Sequence, residues 1–246
     1  MQVQLDRLRE QYEFTSWSTP RDTSLLAWGF RLSGSELPGW SPHRIQQVDL
    51  PGEPPATLSV WRPAEGNGAL LAVNVYECDD ETAARRHLLR LLGEFQGPNL
   101  QRIASPGEVA FAAGSAGILF ARGNLVAFVR SIERSPAPVA ENAARLDRIL
   151  DADVERRGDG PEIDTLSIPA AEARRQRPIP IDVTASDRAG GPIWFRFRSD
   201  TGRLMLQNRR PVFTPTEPGP HDIEVTAIGA TGVSERTLRI HPAPGE

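Results

Sequence analysis

The stretch Asn74–Leu92, NVYECDDETAARRHLLRLL, holds the chain's single cysteine, Cys78, the consecutive acids Asp79, Asp80 and Glu81, and His87, one of four histidines. A cysteine and a histidine make a nucleophile–base pair only when the ring reaches the sulfur. Here the pattern places Cys78 at the end of a strand and His87 two turns into the next helix. At about 1.5 Å per residue their backbones stand roughly 10 Å apart. The three acids also raise a neighbouring thiol's pKa, which opposes thiolate formation. The same residues have a structural use. Asp79 or Asp80 caps the helix, Glu81 favours the positive end of its dipole, and Glu81–Arg85 has the i, i+4 spacing of an ion pair. Three clustered carboxylates suit a hard cation, but this run reads as a cap. No catalytic residue and no metal ligand is therefore expected.

Several chemistries lack their residues altogether. All 28 basic residues are arginine, so no Schiff-base or phosphate-binding lysine exists. One cysteine allows no internal disulfide and no paired-cysteine metal framework. His43, His87, His221 and His241 are far apart in sequence, so no two of them share a helix turn. "AAGSAG" (Ala112–Gly117) resembles a phosphate-cradling loop but opens a strand, so it reads as a hairpin. No Gly-x-Ser-x-Gly elbow occurs. No cofactor is implied.

The elements that position these residues follow from periodicity. Residues 1–20 read as a helical or extended arm, with Leu5, Leu8 and Tyr12 on one stripe. "LLAWGFRLS" (Leu25–Ser33) fits a strand or a buried turn, followed by a Gly-, Pro- and Trp-rich loop. "RIQQVDL", "ATLSVWR" and "GALLAVNVYEC" read as strands. A helix over about 80–95 aligns Ala84, Leu88, Leu91, Leu92 and Phe95. Then come "EVAFAA", "GILFAR" and "LVAFVRSI", the last two joined by Gly123-Asn124, a hairpin dipeptide. A helix over about 138–150 aligns Val139, Ala143, Leu146 and Leu150. Residues 21–158 are expected to form an α+β domain, a mainly antiparallel sheet with its helices on one face.

The 246 residues fit one large or two ordinary domains. A net charge of −4 argues against a nucleic-acid partner. The longest apolar runs fall far short of the roughly 20 residues of a membrane-spanning helix. The N-terminus lacks the basic and apolar regions of a signal peptide. The location is extracytoplasmic if Met1 replaces a removed export signal, and cytoplasmic otherwise.

"DADVERRGDGPE" (Asp151–Glu162) reads as a linker. Beyond it, "IDTLSI", "IPIDVTAS", "IWFRFRS", "RLMLQ", "PVFTP", "HDIEVTAI" and "SERTLRI" alternate with turn sequences. This is the pattern of an all-β sandwich over 159–246. "PIDVTASDRAGGPIWFRF" with "PVFTPTEPGPHDIEVTAIGATGVSERTLRI" resembles the immunoglobulin-like and cadherin-like repeats of bacterial surface proteins. The resemblance implies the sandwich fold. It does not carry the calcium site of those repeats, because Asp187 is matched while Ile228-Gly229 stands where an acid often sits.

In "IWFRFRS" two phenylalanines alternate with Trp194, Arg196 and Arg198. With Phe195 and Phe197 in the core, those three residues form an exposed stripe on one sheet face. Tryptophan and arginine are enriched at binding hot spots, so the stripe is the candidate contact site, with "EARRQR" and "NRR" beside it. The expected function is non-catalytic binding or assembly. Its partners would be proteins, a second copy of this chain included, with glycan as a further class. Two alternatives stay open. One is a hydrolase-type enzyme built from separate loops of the first domain, with Trp40 and His43 walling its cleft. The other is a structural subunit of a secretion, filament or phage-like assembly.

Overall fold

A computed structural model describes residues 2–17, 24–65, 68–95, 100–132, 137–151, 160–169 and 177–241. Most of this is antiparallel β-sheet, with few helices. No helix among the described residues is long and apolar enough to cross a membrane.

In chain order, α1 is Gln2–Gln11 and β1 is Ser24–Trp28. β2 (Trp40–Val48), β3 (Ala56–Pro63) and β4 (Leu71–Glu77) precede α2 (Glu81–Glu94). β5 (Leu100–Ile103), β6 (Val109–Ala113), β7 (Gly117–Arg122) and β8 (Leu125–Ser131) precede α3 (Val139–Leu150). β9 (Glu162–Ser167), β10 (Ile179–Pro180) and β11 (Asp182–Ser186) follow. The last strands are β12 (Trp194–Ser199), β13 (Gly202–Gln207), β14 (Arg210–Pro215), β15 (His221–Ile228) and β16 (Val233–Ile240).

The chain forms two compact units, Met1–Thr19 with Gly34–Asp151, and Pro20–Ser33 with Ala152–Glu246. The first is a seven-stranded sheet of order β2-β3-β4-β8-β7-β6-β5. On one face, Leu88 and Leu92 of α2 pack with Leu119, Ala121, Val126 and Phe128. Leu8 of α1 and Tyr12 just after it join the same cluster, so residues 2–17 are part of this unit and not a separate arm. The expectation that both helices share one face is corrected. Arg122 lies on the face opposite Leu119 and Ala121 by strand alternation. Its guanidinium holds both carboxylate oxygens of Asp147 on α3, at 2.9 and 2.7 Å. The two helices therefore cover opposite faces. The physical reason is visible in β7 and β8, whose continuous apolar runs are buried on both sides.

The second unit has a four-stranded sheet β1-β12-β15-β16, a three-stranded sheet β10-β14-β13 and the pair β11-β9. These share one core, which includes Leu26, Ile163, Ile179, Phe197, Phe213 and Val225, so the unit is sandwich-like. β1 is its unexpected member. The segment 21–33 was placed in the first domain by sequence, yet Leu26 pairs with Phe197 and Trp28 with Phe195. On its other side Ser24 Oγ accepts from the Leu204 backbone N–H at 2.9 Å, and the Trp28 indole donates to Arg209 O at 2.9 Å. β1 thus ties the β12 sheet to β13. At the opposite side Ser234 of β16 bonds Pro161 O and Arg236 bonds Ile163 O, which ties β16 to the start of β9. The β13–β14 turn is Asn208-Arg209, both with positive φ (50° and 63°), the conformation a two-residue hairpin of this type requires. The linker expected at 151–162 lies largely outside the described residues.

Candidate functional site

The reactive groups of Asn74–Leu92 are used by the fold. Asp80 is the N-cap of α2, and its side chain accepts from the Ala83 N–H at 2.7 Å. Glu81 and Arg85 pair on the first turn. Cys78 is buried. Its backbone N–H donates to Asn124 O, and Asn124 Nδ2 donates to Cys78 O at 2.8 Å. That clamp fastens the end of β4 to the β7–β8 turn. Burial, reinforced by Asp79, Asp80 and Glu77, pushes the thiol's pKa up to about 12, so the sulfur is a packed side chain and not a nucleophile.

His87 is 6% exposed and lies against the Tyr76 ring, with centroids 4.6 Å apart. Its Nδ1 is 3.4 Å from an Arg90 nitrogen, and its Nε2 has no hydrogen-bond partner. Burial, then the charge of Arg90, lowers its pKa to about 4, so the ring is neutral over the physiological range. Arg90 is held by both oxygens of Glu53. Sequence reasoning found His87 and Arg90 on α2 but missed Glu53 and Tyr76. Glu53 lies in the "PGEPP" loop, and no periodic signal connects a loop residue to a helix face.

The stripe on β12 is only partly a surface. Arg198 is exposed and lies 3.9 Å from Glu224 and 4.0 Å from Asp200. Arg196 is half-buried, paired across the sheet with Ala27 and Thr226. Trp194, expected at the exposed end, is 3% exposed, with Phe30 edge-on at 5.2 Å. Its neighbour across the sheet is Ile228, also buried. Alternation puts the three residues on one face as expected, but an indole beside Phe30 and Ile228 is removed from water by its apolar neighbours.

No protein family, curated protein or solved structure matches the chain.

The remaining candidates are placed as follows. Trp40 and His43, expected on a loop, lie on the edge strand β2, where His43 is exposed at an irregularity between Pro42 and Arg44. Residues 172–176 of "EARRQR" lie outside the described residues. Asp187 accepts from Ala189 N at 2.9 Å, and its Oδ2 has no partner. No group of three or more His, Cys, Asp or Glu side chains is arranged to hold a metal among the described residues. His221 is buried and satisfied, with Nδ1 2.8 Å from Thr201 Oγ1 and Nε2 3.1 Å from Glu217 O.

Proposed function

We propose that the protein is a non-catalytic binding or assembly protein, built from an α+β unit and an immunoglobulin-like unit. The observation that carries this is the use made of its reactive side chains. The thiol is buried and strongly protonated, His87 is neutral and enclosed, and His221 is held at both nitrogens. Catalytic groups need a pKa near the working pH and access to substrate, and these three have other roles.

Strand order supports the immunoglobulin-like reading. With β9, β10–β11, β12, β13, β14, β15 and β16 taken as A to G, one layer runs A-B-E-D and the other C-F-G, as in that fold. β1 then occupies the edge beside C. The contact site in this reading is the outer face of β12, with Arg196 and Arg198 reaching a protein partner and Trp194 buried against Phe30 at one end of the same face. The strand fixes the backbone of both arginines before binding, so what is ordered on binding is their side chains alone.

The test is capture of partners from the native cell by the full chain, compared with Arg196→Ala/Arg198→Ala. We expect a partner recovered by the parent chain and depleted at least fivefold by the variant. Equal recovery overturns the site. Light scattering on the purified chain separates self-association from a foreign partner.

A further inference from the structure

The face of the seven-stranded sheet that carries α2 is covered only in part. α2 packs over β7 and β8. On β2 and β3 the same face continues without a helix among the described residues, and on β4 His87 of α2 reaches Tyr76. Register defines it: one row reads Arg44–Val60–Ala72–Arg130, and the next Gln46–Leu58–Asn74–Phe128. Leu58 and Val60 are half-buried, although they lie on an inner strand of the sheet. Arg62, two residues beyond Val60, shares the face. Ile132, directly after β8, is 41% exposed and is one of two exposed large apolar side chains among the described residues.

The charged side chains that register and alternation place on this strip are all arginine. Arg44, Arg62 and Arg130 are all exposed, and none has a carboxylate partner among the described residues. Arg44 donates to Gln46 Oε1 at 2.6 Å, and Arg130 lies over the Phe128 ring at 5.3 Å. Glu53 is held by Arg90, which also has Glu94 at 3.6 Å. Elsewhere the exposed arginines Arg198 and Arg239 face acids. An apolar strip rimmed by three uncompensated cations is complementary to an apolar ligand face rimmed by acids. A helix is the occupant that layer packing favours, because sheet faces are commonly covered by helices.

We infer that this half-face docks an acidic amphipathic helix of a protein partner. Its apolar side would cover Leu58 and Val60, and its carboxylates would meet Arg44, Arg62 and Arg130. The inference rests on the reading of the protein as a binding protein but uses a different surface from β12.

The probe is a fluorescein-labelled 18-residue helix with leucine on one face and glutamate on the other, added to the full chain. Its control is the same peptide with lysine for glutamate. We expect saturable binding of the acidic peptide only. The affinity should fall at least tenfold in Arg44→Glu/Arg62→Glu/Arg130→Glu, whose exposed positions leave the fold intact by circular dichroism. It should be unchanged in Arg196→Ala/Arg198→Ala, which keeps failure here distinct from failure of the β12 site. Equal binding of the lysine peptide, or unchanged affinity in the triple variant, overturns the inference. So does capture of the chain by anionic phospholipid vesicles, reversed by the triple variant, when the acidic peptide does not bind.

Discussion

The two units reach closed cores by different routes. In the seven-stranded sheet, neighbours in space are mostly neighbours in sequence: β2-β3-β4 forms one meander and β8-β7-β6-β5 another, joined at β4–β8. The β4–β8 contact is reinforced by the Cys78–Asn124 clamp. The second unit draws its strand β1 from before the sheet of the first unit and pairs it with β12. A meander is encoded by local turns and alternation. A strand recruited from a remote segment is held only by what it buries and by the backbone groups it satisfies.

The largest test of that difference removes the buried side chain of β1. Leu26 is 1% exposed in the second core. Leu26→Ala should destabilise that unit by about 2–5 kcal/mol, the range for a buried leucine that leaves a cavity. Hydrogen exchange would show early loss of protection in β12 and β15 with β7 and β8 unchanged. Equal loss in both units would mean that their cores unfold as one.

A smaller effect belongs to the first unit alone. His87 has a depressed pKa, about 4 against the ordinary 6.5, so between these values the unfolded chain binds more protons than the folded one. Stability from the neutral ring is complete above 6.5, falls as pH drops, and is lost by about 4. The change amounts to at most about 3 kcal/mol. Urea midpoints across this window should fall with pH in the parent chain and fall less steeply in His87→Gln. Parallel curves would remove His87 as the origin.

The smallest expected effect is at the α2 cap. Asp80→Ala should cost about 1 kcal/mol, read as a lower thermal midpoint of the first unit. Asp79→Ala should leave it nearly unchanged, since Asp79 is exposed and Asp80 makes the bond. If the two variants are equal, the cap is shared.

Much of the second unit's strand set was legible. "HDIEVTAI" alternates cleanly because one face meets a core and the other water, while "IDTLSI" and "SERTLRI" alternate only in part. α2 and α3 were legible from their stripes, and Asp80 from its place before one. β5 was missed, since "LQRI" is four residues with two exposed side chains. The placing of α3 was misjudged because an apolar stripe shows that a helix is covered, not which sheet face covers it. "GILFAR" and "LVAFV" held the missing information, as runs without alternation imply burial on both faces. For the candidate contact site, alternation set Trp194, Arg196 and Arg198 on one face but carried no measure of depth.

The sequence by itself determined the local chemistry: an all-arginine cation set, one cysteine, a capped helix after β4, and alternating strands in the last third. These follow from propensities and periods that act within a few residues. Tertiary structure alone decided that "SLLAW" belongs with "WFRFRS", that Trp194 is shielded by Phe30, and that Glu53 meets Arg90 beside His87. Each depends on segments distant along the chain, and their pairing is selected by the apolar area and hydrogen bonds gained when the whole core closes.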